Sequence, residues 1–111
     1  TATPREQNQH AHHIVAANEG RWGVPEARDV LGRHSIAINS AENGVFLSDS
    51  YHQRMHTSAY HRDVVSRVTE IGAAADAIVA RNPNDAALAR TMVVGVLQSI
   101  AAEALSGRTW Q

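Results

Sequence analysis

The chain of 111 residues has no cysteine, no lysine and few aromatic side chains. Without cysteine, neither a disulfide nor a thiolate zinc cage can hold the fold, and any metal must be bound through nitrogen and oxygen. Redox compartment therefore leaves no mark on this sequence. Only 5% of the residues are aromatic while alanine is abundant, which favours helices packed through small side chains over a sandwich of sheets built from bulky ones. No continuous apolar run approaches the roughly 18 to 20 residues of a bilayer span, and no basic, apolar and small-residue leader opens the chain. The expectation is a soluble protein with no membrane partner. A net charge of −1 argues against a generic polyelectrolyte binder, since those are strongly basic, but leaves room for a local basic site. All ten basic residues are arginine, whose planar fork suits phosphate as a lysine point charge does not.

A chain this long makes one compact domain with a modest core. Residues 1–9 are polar without periodicity and read as a linker, leaving residues 10–111 as the domain. The Thr1 start is expected of a piece cut from a longer protein whose delivery signals lie upstream.

What the sequence does have is histidine. His12 and His13 are adjacent within Ala11-His12-His13-Ile14-Val15-Ala16, and His52 and His56 follow at helical spacing. Residues 10–17 read as a strand, on which neighbouring side chains point to opposite faces, so the rings of His12 and His13 diverge. One can face an ion while the other leans toward a substrate. His10 shares the parity of His12 and is given no role. His52 and His56 lie one turn apart on one helical face, so both imidazoles can reach one ion.

Between the two pairs the pattern is broken. Gly20, Trp22 and Gly23 mark a loop; Pro25 suits the first turn of a helix that Gly32 ends. Arg21, Arg28 and Arg33 read as a solvated face, and His34 as a surface histidine. Ile36 and Ile38 alternate with Ala37 and Asn39, Asn43-Gly44 signals a hairpin turn, and Val45-Phe46-Leu47 resumes as a strand. An Asn side chain beside such a turn can bond the backbone around a histidine and fix its ring. Ser48, Asp49 and Ser50 are N-cap residues for a helix of about two turns that carries His52 and His56, and Thr57 or Ser58 caps the next. Asp49 is placed to serve as an outer carboxylate for a ligating imidazole. From Tyr60 the apolar positions Val64, Val68, Ile71, Ala75 and Ile78 mark an amphipathic helix to about Arg81. Asn82-Pro83 stops it and starts another, with Leu88, Met92, Val96, Ile100 and Ala104 as its apolar positions and Gly107 as its end. These two helices are expected to form an antiparallel hairpin without chemistry of its own.

Taken together, Ala11-His12-His13, Asn43-Gly44-Val45, and His52 and His56 followed by Tyr60 resemble the AHH family of toxin nucleases within the HNH and endonuclease VII superfamily. The likeness covers residues 10–68. It implies an α+β, mostly helical fold: a ββα-metal finger over 10–68, then a helical extension over 69–111. It implies His12, His52 and His56 as metal ligands, His13 as general base and Asn43 as the residue that orients the base. Two departures stand out: Ser48-Asp49 replaces a proline often found after the second strand, and His61 stands where a second aromatic is common.

The chemistry implied is metal-assisted hydrolysis of a phosphodiester, with water as nucleophile and His13 taking its proton. No 2'-hydroxyl is then needed, so DNA is a competent substrate and RNA an alternative one. Arg54 and Arg62, beside the ligand helix, are the candidates for phosphate contacts. One divalent ion is expected: magnesium for activity by family habit, with zinc, nickel or manganese able to occupy an imidazole site. Family context adds a secreted or injected bacterial effector that acts in the target-cell cytoplasm and is neutralised by an immunity protein. Two other classes compete with the nuclease: a non-catalytic binding module stabilised by metal, and a metal-free helical interaction domain.

Overall fold

The structure is a computed structural model that describes residues 9–111. The polar linker expected over 1–9 thus lies outside the described residues, except for Gln9, which opens the first strand. The order is β1 (Gln9–His13), α1 (Val24–Arg33), a short 3-10 turn (Ala41–Asn43), β2 (Gly44–Ser48), α2 (Asp49–Met55), α3 (Ser58–Arg81), a second 3-10 turn (Pro83–Asp85) and α4 (Ala86–Leu105). The class is α+β and mostly helical, a two-stranded antiparallel sheet followed by helices.

β1 pairs with β2 so that His12 faces Val45 and His13 faces Gly44. The strand is shorter than residues 10–17 because its ladder is diverted beyond His13. There the Ile14 N–H donates to the backbone oxygen of Asn43 at 2.9 Å, and Val15 bonds the Asn43 side chain. The sheet also corrects the hairpin expected at Asn43-Gly44. Residues 36–39 form no strand, Gly44 is extended at φ −130°, and the partner of β2 comes from some thirty residues upstream. Asn43 closes a 3-10 turn, and its side chain takes the bonds that a hairpin turn would have left to the backbone.

α1 starts where Gly23 adopts φ +80°, with Pro25 in its first turn, and buries Val24, Ala27, Val30 and Leu31. It lies against α3 at Gly72, where a Cβ would come within 2.7 Å of Val30. Its last turn brings His34 under cover: this histidine, expected on the surface, is buried with Nε2 2.8 Å from Asp76. Arg28 also leaves the solvated face, donating to the carbonyls of Ala16 and Glu19.

α3 and α4 form the expected antiparallel pair. α3 buries Tyr60, His61, Val64, Val68, Gly72 and Ala75, and α4 buries Ala89, Val93, Leu97, Ile100 and Ala104. On α4 Ile100 and Ala104 are buried as expected, but over the earlier turns the inward face is rotated by one residue, with Ala89, Val93 and Leu97 in place of Leu88, Met92 and Val96, leaving Leu88 52% exposed. The reason is composition: α4 is apolar nearly all round, so periodicity alone does not choose a face, and small Ala89 and Ala104 permit close approach. The stretch Pro83–Leu105, which contains an 18-residue window of mean hydropathy 1.3, is long and apolar enough to cross a membrane, which the criterion of an unbroken apolar run overlooked. One stripe of it is buried in the core, 28% of that window, and the rest faces outward. After Gly107 the tail returns, and Trp110 is buried with its ring edge-on to Tyr60.

The close approach at Gly72 gives a test of the α1–α3 contact. Gly72→Ala gains helix propensity but overpacks against buried Val30, and a net loss of about 1–2 kcal/mol is expected. Gly95→Ala, on a helix position with open space around it, should gain about 0.5–1 kcal/mol. Denaturant unfolding of both variants checks the pair; equal effects would contradict the packing described.

Candidate metal centre

Strand parity delivers the first candidate ligand. His12 points inward and is 2% exposed, whereas His13, the next residue, is half-buried and faces the opposite side. The Ser48 hydroxyl accepts the Tyr51 N–H and starts α2 immediately after β2, which places His52 in its second turn. α2 ends at Met55 because Thr57 caps α3, accepting the Tyr60 N–H. His56 occupies the junction, outside the helix but still one turn from His52.

These three imidazoles converge. Each offers one nitrogen, and the three nitrogens lie within 4.8 Å of one another. The His12 ring centre is 5.0 Å from those of both His52 and His56, and the Nε2 atoms of His52 and His56 are 3.1 Å apart. Burial lowers the pKa of His12 to about 3, helped by His56, His52, His13 and His61. Burial also shifts His52 and His56 downward; His56 and His10 add to it at His52, and His61 adds to it at His56. The rings are therefore neutral at pH 7, the state in which imidazole donates a lone pair to a metal.

The donor set fits a divalent ion. His12 Nδ1 and His52 Nδ1 are buried without a hydrogen-bond partner among the described residues, a costly condition for a polar atom unless something else satisfies it. Three neutral nitrogens around a common point suit zinc, nickel or manganese better than magnesium, which prefers oxygen and keeps its waters.

His13 stands beside this cluster in a small cleft of about 80 Å³ lined by Ala11, His12, Asn39, Ser40, Asn43 and Gly44. Its Nε2 is 2.7 Å from Asn39 Oδ1. An amide oxygen only accepts, so His13 donates Nε2–H there and Nδ1 carries the lone pair. Asn43, expected to orient this ring, does not bond it. Fully buried, it accepts the Val15 N–H at 2.8 Å and donates to the carbonyls of Val15 and Ile38 at 3.0 and 2.9 Å. It therefore pins the backbone just past His13 to the loop that carries Asn39. Asn39 was missed because 26 residues of chain separate it from His13 and no local spacing relates them.

The outer positions also differ from expectation. Asp49 does not bond a ligating ring; its Oδ1 lies 3.0 Å from His10 Nε2, and it acts on His52 only through its charge. His10 is exposed, on the strand face shared with His12, with its ring 5.3 Å from that of His52. His61 is buried and stacks on Trp22, 5.3 Å between ring centres and 10° between planes; its ring centre is 5.7 Å from that of His56, but its nitrogens are not among the three that gather. Tyr60 is fully buried, and burial holds its hydroxyl above its ordinary pKa, so it stays protonated. Arg21, Arg33, Arg67, Arg90 and Arg108 are all paired with carboxylates. Arg54 and Arg62 are exposed and form no ion pair with a described residue, which leaves their guanidinium groups open to solvent anions.

A family model matches residues 1–104; its family is described as a nuclease family of the HNH/ENDO VII superfamily with conserved AHH. No curated protein and no solved structure matches the chain.

The shifted histidines make stability depend on pH in a definite sense. With folded pKa values below the ordinary 6.5, the unfolded chain binds more protons than the folded one, so stability rises with pH. The metal-free protein should hold this contribution fully above about pH 6.5 and lose it as pH falls toward about 3. Thermal unfolding across that range checks it, and His12→Gln should flatten the profile; a parent profile insensitive to pH would contradict it. Added zinc should raise the midpoint at neutral pH by mass action, and less so in His52→Ala.

Proposed function

The chain belongs to the AHH nuclease family of the HNH/ENDO VII superfamily, and on that premise we propose that it hydrolyses phosphodiester bonds of DNA with one divalent metal ion. It is a nuclease, and its substrate is nucleic acid. The observation that carries the finer reading is the convergence of His12, His52 and His56 on one point, with His13 held beside them by Asn39.

In this reading His12, His52 and His56 hold the ion. When bound, a divalent ion there supplies charge stabilisation at the scissile phosphate and the leaving oxygen. His13 takes the proton from the attacking water at Nδ1, the nitrogen left free when Nε2–H is committed to Asn39. Asn43 keeps the backbone after His13 in place, so the base and the ligand next to it cannot drift independently. Arg54 and Arg62 supply phosphate contacts at the rim, using forks that no carboxylate of a described residue engages. Water as nucleophile makes DNA sufficient as substrate. Magnesium is the activating ion by superfamily habit, and zinc, nickel and manganese fit the nitrogen donors.

The same family resemblance supports a biological setting. The domain is the C-terminal toxin portion of a secreted or injected bacterial effector, acting in the target-cell cytoplasm and countered in the producer by an immunity protein.

Plasmid digestion tests this, run with magnesium, manganese, zinc and nickel in turn and with RNA in parallel. The parent should cut DNA, and His13→Ala should lose about 10²- to 10⁴-fold in rate, the usual weight of a general base, while still binding metal. A His13→Ala protein that cuts as fast as the parent would remove His13 from the chemistry, and cleavage of RNA alone would replace DNA as the substrate. Asn39→Ala should slow cleavage with little change in metal affinity. Arg54→Ala and Arg62→Ala should raise KM more than they lower kcat, because each removes a contact made alike to substrate and transition state.

A further inference from the structure

We infer that Tyr60 is a positioning residue that commits His12 to one tautomer and thereby selects Nδ1 as the atom it presents to the metal. The assignment rests on reading His12 as a ligand and adds which nitrogen it uses and what enforces the choice.

The argument is one of proton counting. The Tyr60 hydroxyl lies 2.8 Å from the Ile14 carbonyl oxygen and 2.9 Å from His12 Nε2. A carbonyl oxygen can only accept, so the single hydroxyl proton goes to Ile14. What remains toward His12 is an oxygen lone pair, and it must be met by an N–H. His12 therefore carries its proton on Nε2, and its lone pair stands on Nδ1. That atom is buried and has no hydrogen-bond partner among the described residues, and His12 is one of the three rings whose nitrogens gather within 4.8 Å. The opposite tautomer would set two lone pairs against each other at 2.9 Å and bury an N–H on the side where a cation belongs.

Tyr60 is itself held on all sides. Its backbone N–H is capped by Thr57, its ring meets the edge of Trp110 at 4.9 Å, and the Trp110 indole N–H donates to Asp63 at 2.9 Å. The hydroxyl therefore has little freedom to turn away from Ile14 and His12. The same bond to Ile14 ties the residue after His13 to α3, so one side chain fixes the ligand ring and the strand end that carries the base.

The test uses histidine-labelled protein without metal and long-range nitrogen–proton correlation near pH 7.5. The parent should show His12 protonated at Nε2 and unprotonated at Nδ1; a parent protonated at Nδ1 overturns the assignment. In Tyr60→Phe, which keeps the ring but not the hydroxyl, the tautomer should become mixed. Zinc affinity by calorimetry should fall about 10- to 100-fold, as loss of an outer partner of a metal-bound histidine does. A folded Tyr60→Phe protein with the parental tautomer and zinc affinity also overturns it, since a merely structural tyrosine would change stability alone. Should the variant not fold, the parent spectrum decides. Failure of the nuclease reading shows as a parent inert on plasmid, whereas failure of this assignment shows in the tautomer of a parent that still cuts.

Discussion

Withdrawing the His12 imidazole from water leaves two ring nitrogens to be satisfied inside the protein, and much of the surrounding structure follows from how that is done. Tyr60 takes one of them at 2.9 Å. The other shares its surroundings with His52 and His56, three neutral rings in mutual reach. A buried polar ring with an unanswered nitrogen costs stability unless the site has a use for the lone pair. The fold accepts that cost beside a strand end where the next residue, His13, is turned outward.

The elements that hold this arrangement are separate from those that carry it. The candidate ligands come from a five-residue strand, a seven-residue helix and the junction after it. Rigidity comes from α3, whose first turn supplies Tyr60 and whose length is packed against α1 and α4. Arg67 bridges Asp63 and Glu103, and Arg108 pairs with Glu103, so the tail that carries Trp110 is tied to both long helices. Such partly exposed pairs contribute little singly, but as a network they fix the position of a buried indole against Tyr60. Short elements thus display the chemistry while long helices keep them in register, the division that a precise metal site requires.

Much of the site was legible from local pattern. Period two separated the rings of His12 and His13, helical spacing joined His52 to His56, and the caps Ser48 and Thr57 delimited the short helix between them. Other readings failed where a local signal had a distant competitor. Asn43-Gly44 is a strong turn signal, yet the Asn43 side chain bonds Val15 across 28 residues and the strand partner comes from β1 instead. Asp49 is near His52 in sequence but lies against His10, because β1 runs beside the start of α2. His34 looked like a surface residue until α3 brought Asp76 to it.

By itself the sequence determined the donor types, since a chain without cysteine but with paired histidines can offer a metal only nitrogen and oxygen, and it determined that the two adjacent rings face opposite ways, though not which of them faces inward. Those properties follow from covalent side-chain chemistry and from the two- and 3.6-residue periods of the backbone, which act over a few residues. Only the tertiary structure decided that Asn39 holds the His13 ring, that Tyr60 bonds His12 and that α4 turns Ala89 rather than Leu88 to the core. Each of these joins groups whose separation along the chain exceeds any local period, so their meeting depends on packing of the whole domain.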